Sequence, residues 1–172
     1  MLQRSGLILL LAASLAIAGE ASVSVKVDLA DVVEQGAVSP VDGITSAGQP
    51  DEAALSVFAE NGYVAVIDMR TAGEERGLDE PAAVEGLGMQ YVPFPISRSD
   101  INLEMAGELD ALLKQFDGPV LLHCGSGNRV GALLALREFL DSEDAEQALQ
   151  TGRDGGLTSL ESAVKEVIDA AE

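Results

Sequence analysis

The stretch from Pro119 to Leu136 leaves this chain the fewest ways to fold. An apolar run, Pro119-Val120-Leu121-Leu122, leads into His123-Cys124-Gly125-Ser126-Gly127-Asn128-Arg129-Val130-Gly131-Ala132. An apolar helical pattern, Ala132-Leu133-Leu134-Ala135-Leu136, follows. A strand, a glycine turn and a helix in that order belong to a sheet whose strands run parallel. The turn also aims backbone N–H groups and a helix N-terminus at one point. It carries the only cysteine and the only histidine of the 172 residues.

The rest of the chain alternates in the same way. Tyr63-Val64-Ala65-Val66-Ile67-Asp68-Met69 is a β-former run of the kind buried on both faces of a parallel sheet. Gln90 to Ile96 reads as a short strand, because its prolines donate nothing to a ladder. Helical patterns fall after Asp51, around Pro81 to Leu87, over Leu103 to Phe116, and from about Arg129 to Leu140. Another helix is expected from Ser142. A last one is expected to open on Thr158-Ser159-Leu160-Glu161, a capping box. Thr45 to Pro50 reads as a turn, and Ala21 to Ile44 as a linker with a short strand at Ser22–Val27. The expectation is a single α/β domain, with a central, mainly parallel sheet flanked by helices, over residues 44–172 after a linker at 19–43.

Met1-Leu2-Gln3-Arg4 and the apolar run from Gly6 to Ala18 read as a signal peptide over residues 1–18, with a small-x-small site at Ala16-Ile17-Ala18. Gly19-Glu20-Ala21 is a second cleavage candidate. An exported protein, periplasmic or secreted, is expected. The net charge of −19 disfavours nucleic acid and anionic membrane surfaces as partners. No cofactor is called for. One histidine and one cysteine give no sequence cluster suited to a metal.

A thiolate at Cys124 would be stabilised by the helix N-terminus, the N–H groups of the turn and Arg129. Arg129 can grip two oxygens of an anion with its planar fork. Gly125, Ser126, Gly127 and Asn128 would line the anion. Strand alternation points His123 away from Cys124, so it is expected to orient the loop. Asp100 is either a proton donor to a leaving group or a helix cap. Arg70 and Arg98 either add positive charge at the rim or pair with acids such as Glu74 and Glu75.

On these residues the chain resembles cysteine-dependent protein phosphatases, and the bacterial family called beta-lactamase hydrolase-like protein, phosphatase-like domain. The family's strand followed by His-Cys-x-Ser-Gly-Asn-Arg-Val-Gly-Ala is matched at His123 to Ala132. Its Ser-Gly-Gln-Pro turn is matched, with one extra residue, at Ser46 to Pro50. Its Val-Ile-Asn-Leu-Arg strand end is similar to Val66 to Arg70. The resemblance implies a cysteine phosphatase-like fold and places Asp100 at the phosphatase acid position.

Two departures bear on chemistry. Only Gly125, Ser126, Gly127 and Asn128 separate Cys124 from Arg129, where cysteine phosphatases have five residues. The loss is about 3.5 Å of chain and one N–H. This spacing resembles rhodanese-type sulfurtransferases. Val130 also stands where phosphatases usually carry Ser or Thr. The favoured expectation is therefore a sulfurtransferase with a Cys124 persulfide, acting on a small anion such as thiosulfate. The alternative is a phosphate monoester hydrolase with Cys124 as nucleophile and Asp100 as acid. A further alternative is a non-catalytic anion-binding or redox-sensing module.

Overall fold

The computed structural model describes residues 25–172. The expected signal peptide lies outside the described residues, as does the start of the expected Ser22–Val27 strand. Four short strands, β1 (Ile44–Ala47), β2 (Ala65–Asp68), β3 (Gln90–Pro93) and β4 (Val120–His123), form one sheet in the order β1-β4-β2-β3. Every pairing is parallel. Helices α1 (Leu29–Gln35), α2 (Glu52–Glu60) and α3 (Glu80–Gly86) lie among the connections of the first half. Helices α4 (Leu103–Leu113), α5 (Asn128–Ser142), α6 (Ala145–Asp154) and α7 (Glu161–Asp169) belong to the second. No helix among the described residues is long and apolar enough to cross a membrane.

Strand alternation divides the core in two. Ile67 and Leu122 join Leu133, Leu136 and Leu109 under α4 and α5. Val66 and Leu121 join Leu55, Phe58 and Tyr63 on the other face. Each strand of the middle pair is buried throughout, which is why both read as near-continuous apolar runs, each ending in a buried polar residue, Asp68 or His123. β3 is an edge strand, where Pro93 with no N–H to donate is tolerated, and it is only partly buried.

The structure differs from the sequence expectation in four places. Residues 29–35, inside the expected linker, form α1. Its cap is Asp28, whose carboxylate accepts from the N–H groups of Ala30 and Asp31, and Gly36 closes it at φ +62°. The early strand contracts to one bridge, Lys26 to Ser46. Ile44–Ala47, which spans the end of the expected linker and the start of the expected turn, is the β1 edge strand, paired with β4 from Ile44↔Val120 to Ala47↔His123. Ile44 and Thr45 are strand formers, but four residues beside a glycine turn are too short a run to read alone, and pairing with β4 decides it. The expected capping box at Thr158 to Glu161 does not form: α7 has no side-chain cap, and Glu161 pairs with Arg153 and Lys165 instead.

Close packing at α5 fixes where the turn sits. A Cβ on Gly131 would lie 2.1 Å from the backbone nitrogen of Leu157. Only glycine lets the α6–α7 turn lie this close to α5. Gly152 meets α5 from the other side, where a Cβ would come within 2.7 Å of the Ala135 side chain.

Candidate active site

Cys124 follows the last residue of β4 and precedes the N-terminus of α5. Its side chain is fully buried, among the core residues on the α5 side of the sheet. The N–H of Gly127 donates to its Sγ at 3.1 Å. Gly127 takes φ +85°, a left-handed turn that starts α5 without a side-chain cap. Among the described residues nothing accepts from the N–H groups of Gly125 and Ser126. They are free to meet an anion, together with the helix N-terminus.

Arg129 is the second residue of α5 and is half-buried. Its Nη1 donates to the carbonyls of Met69 and Ile96, each at 3.2 Å, and to Glu74 Oε1 at 2.6 Å. Its Nη2 donates to Glu74 Oε2 at 2.6 Å. Glu74 raises the pKa of the guanidinium, and Cys124 adds a smaller push in the same direction. In return Arg129 holds the Glu74 carboxyl at about 2. A pocket of about 520 Å³ opens here, lined by Thr71, Glu74, Ile96, Ser97, Arg98, Ser126, Asn128, Arg129 and Leu160.

His123 lies on the opposite side of β4 from Cys124. It is fully buried, with Nε2 2.7 Å from Glu80 Oε1 and 3.7 Å from Asp68 Oδ1. The Glu80 contact is out of line for a hydrogen bond. Arg70 fills the same cluster, donating to Asp68 from Nε at 2.9 Å and from Nη2 at 3.0 Å, and pairing closely with Glu80. Burial alone would raise the Asp68 carboxyl. The hydrogen bonds from Arg70 overcome this and hold it at about 2. Tyr91 donates to Asp68 at 2.7 Å, and its own hydroxyl is pushed up to about 12 by burial and then by that carboxylate.

Asp68, Glu80 and His123 are groups that could ligate a metal, with ligand atoms within 4.8 Å of one another. Arg70 already takes both carboxylates, so the cluster is a buried ion network tying β2 and α3 to the strand that carries Cys124. Arg70 is therefore a buried structural cation and adds no charge at the rim. Arg98, by contrast, lines the pocket.

Two other predicted residues have defined partners. Asp100 ends a 3-10 turn, Arg98–Asp100, and accepts from the N–H of Ser97 at 2.8 Å and from its hydroxyl at 2.5 Å. The Ser97 hydroxyl, with the N–H beside it, lowers its pKa. This is the capping arrangement, with the carboxyl in its ionised form. Helix α4 is capped by Asn102, which accepts from Met105. Asn128 borders the pocket, but its amide is bound elsewhere. Its Oδ1 accepts from Thr158 at 2.8 Å and Leu160 at 3.4 Å, and its Nδ2 donates to the Ser159 hydroxyl at 2.8 Å. It ties the start of α5 to the α6–α7 turn.

The sequence reading did not place Glu74, Asp68 or Glu80 in the site. Glu74 was paired in expectation with Arg70 or Arg98, and the structure gives it to Arg129. Asp68 at the carboxyl end of a buried strand was the one available signal, since a charge there requires a partner.

A chain with this parallel sheet and this cysteine turn is similar to known proteins. The sequence pattern of beta-lactamase hydrolase-like protein, phosphatase-like domain, matches residues 37–140. The chain belongs to this family. The beta-lactamase hydrolase-like protein of Agrobacterium fabrum is 32% identical over 102 residues, 57% of this chain and 24% of that protein. Its counterpart in Xylella fastidiosa is 35% identical over 98 residues, 55% of this chain and 23% of that protein. The chain thus spans about a quarter of the length of these curated relatives.

Among solved structures, a candidate phosphatase of Neisseria meningitidis superposes with a TM-score of 0.61 at 19% identity, over 71% of this chain and 91% of that one. Tk-PTP in its active form gives 0.54 at 21%, over 72% and 90%. TpbA of P. aeruginosa, in complex with pTyr, gives 0.50 at 18%, over 72% and 82%. At these identities the likeness establishes a cysteine phosphatase-like fold. The expectation of sulfur transfer draws no support from these relatives, and the phosphatase alternative fits them better.

Proposed function

We propose that the protein hydrolyses phosphate monoesters through a cysteinyl-phosphate intermediate. The observation that carries this reading is the placement of Cys124 between two unpartnered N–H groups, the α5 N-terminus and the Arg129 guanidinium. Those donors suit the three outer oxygens of a phosphoryl group in transfer. The Cys124 thiolate attacks phosphorus as the bond to the ester oxygen breaks. Water then attacks the same phosphorus, the P–S bond breaks, and inorganic phosphate leaves with the thiolate restored. The pTyr held by TpbA supports a small, phosphate-bearing substrate.

Asp100 accepts from the N–H and hydroxyl of Ser97, which lowers its pKa and works against its serving as the acid for the leaving group. The reading therefore favours aryl esters, whose phenolate departs more readily than an alkoxide. The signal-like segment over residues 1–18 supports an exported location for this activity. The test is release of phosphate from an aryl phosphate, with Cys124→Ser as control. Turnover that needs Cys124 is expected. Sulfur transfer from thiosulfate to a thiol, without phosphate release, would overturn the reading.

A further inference from the structure

We infer that Arg98 and the groove along α7 determine specificity: Arg98 pairs with an acidic side chain of a phosphorylated peptide, and the groove takes an apolar side chain farther along it. The inference rests on the phosphatase reading given above and names the features of the ester that the surface reads.

Arg98 stands apart from the other arginines. Arg70, Arg76, Arg129, Arg137 and Arg153 each pair with a carboxylate. The exposed guanidinium of Arg98 has no hydrogen-bond or ion-pair partner among the described residues. With 29 acidic side chains in the sequence, carboxylates are not scarce. Asp100, two residues on, is held by the Ser97 N–H and hydroxyl. Glu166 lines the same groove and forms no ion pair with Arg98. Those Ser97 bonds, and a 2.8 Å contact between the Ser97 and Ser99 hydroxyls, fix the backbone from which Arg98 extends.

That backbone sits at a junction. Ser97 and Arg98 line the pocket beside Ser126 and Arg129, and they also line a second groove of about 840 Å³. Ile101 is part of one wall of this groove. The other wall is a stripe on α7, Ala163, Val167 and Ala170, whose spacing puts them on one face. Leu160, three residues before Ala163, lines the first pocket. Val164 and Ile168 turn the other way, into the core. From Leu160 to Ala170 is about 15 Å along the helix, the length of about four residues of extended chain. A lone aryl ring does not fill it.

Outward from Cys124 the surface therefore presents a phosphoryl site, a cation and an apolar trough. A peptide supplies matching groups in that order along one strand. An acyl chain suits the trough less, because Ser99, Arg98 and Glu166 on its rims would lose water against it with nothing in return. The net charge of −19 opposes an anionic partner at long range. At physiological salt that field fades within about 8 Å, so the adjacent Arg98 decides.

The test uses three peptides, symmetric so that chain direction does not matter: Leu-Leu-Asp-pTyr-Asp-Leu-Leu, the same peptide with lysine for aspartate, and the same peptide with serine for leucine. Binding is measured by fluorescence anisotropy to Cys124→Ser, alone and combined with Arg98→Gln, Arg98→Glu or Ala163→Phe. Urea unfolding checks the fold of each variant, and phosphate release from the same peptides is followed with Cys124 present. The aspartate peptide is expected to bind about three- to tenfold tighter than the lysine peptide. The overall charge of the chain favours the opposite order, so the sign is diagnostic. Arg98→Gln is expected to remove most of the preference, and Arg98→Glu to reverse it. The leucine peptide is expected to bind about three- to tenfold tighter than the serine peptide, a preference that Ala163→Phe removes by filling the groove.

Equal binding of the aspartate and lysine peptides, or a preference for aspartate that survives Arg98→Glu, would overturn the inference. So would equal binding of the leucine and serine peptides, or no binding of any. Tighter association with phosphatidic acid vesicles than with every peptide would assign the trough to an acyl chain and also overturn it. Hydrolysis of all three peptides with no preference among them would do so while upholding the phosphatase reading. The expected preferences without phosphate release would uphold the inference and remove that reading.

Discussion

Two glycine-to-alanine substitutions in helices are expected to have opposite signs. A Cβ on Gly131 in α5 would lie 2.1 Å from Leu157 N, 2.6 Å from the Gly152 carbonyl oxygen and 2.8 Å from the Gly156 carbonyl carbon. All three are backbone atoms, so no rotamer change relieves the contact. Ordinary separations are about 3.5 Å, so the turn must retreat by more than about 1 Å. That movement disturbs the Leu157 N–H bond to Gly152 O, now 2.8 Å. Overpacking costs about 1–3 kcal/mol, and the disturbed hydrogen bond about 1 kcal/mol. Alanine returns about 1 kcal/mol of helix propensity. Gly131→Ala should therefore lose about 2 kcal/mol net. On a Cβ at Gly107 in α4, the nearest foreign atom is Leu140 Cδ1 at 4.0 Å, an ordinary contact. Gly107→Ala keeps the propensity term and should gain about 0.5–1 kcal/mol. Urea unfolding followed by circular dichroism reads both. Shifts of the same sign, or an unchanged Gly131→Ala, would refute the packing argument.

Three further outcomes follow from the site. The Asp68 carboxyl sits at about 2 in the folded chain, below its usual value of 3.8. Its stabilisation, on the order of 2 kcal/mol, is whole above pH 4 and lost as pH falls toward 2. Glu74 is lowered to about 2 as well and contributes in the same direction. Unfolding midpoints that do not fall between pH 5 and pH 2 would contradict both assignments. Asp100→Asn should leave aryl phosphate turnover within about threefold, since an ionised cap donates no proton. A loss of about a hundredfold would restore the acid role. Asn128→Ala removes three hydrogen bonds between α5 and the 158–160 segment. It should cost about 1–2 kcal/mol in urea unfolding and raise hydrogen exchange at Thr158 and Leu160; unchanged exchange there would show that the amide does not hold this turn.

Local sequence was sufficient wherever one element carries its own signal. Tyr63 to Met69 and Val120 to His123 announce buried parallel strands through near-continuous β-former runs. Asp51 marks the start of α2 as its N-cap. The glycines after Cys124, followed by an apolar helix, place a thiol at a helix N-terminus with Arg129 opposite. Strand alternation alone separates His123 from Cys124. The resemblance carried by His123 to Ala132 was enough to name the family.

What tertiary structure decided were choices among distant partners. Ile44–Ala47 is a strand only because β4 offers it an edge. Asp100 could cap or donate a proton, and the placement of Ser97 settles which form it takes in this structure. Arg70, Arg98 and Arg129 are equal cations in a list of residues. The fold buries Arg70 with Asp68 and Glu80, leaves Arg98 on the pocket wall, and gives Glu74 to Arg129 across 55 positions of chain. The Cys124 turn, with its glycines and Arg129, was legible in the sequence. The Glu74 partner of that arginine was not, because an ion pair between distant loops leaves no periodicity to read.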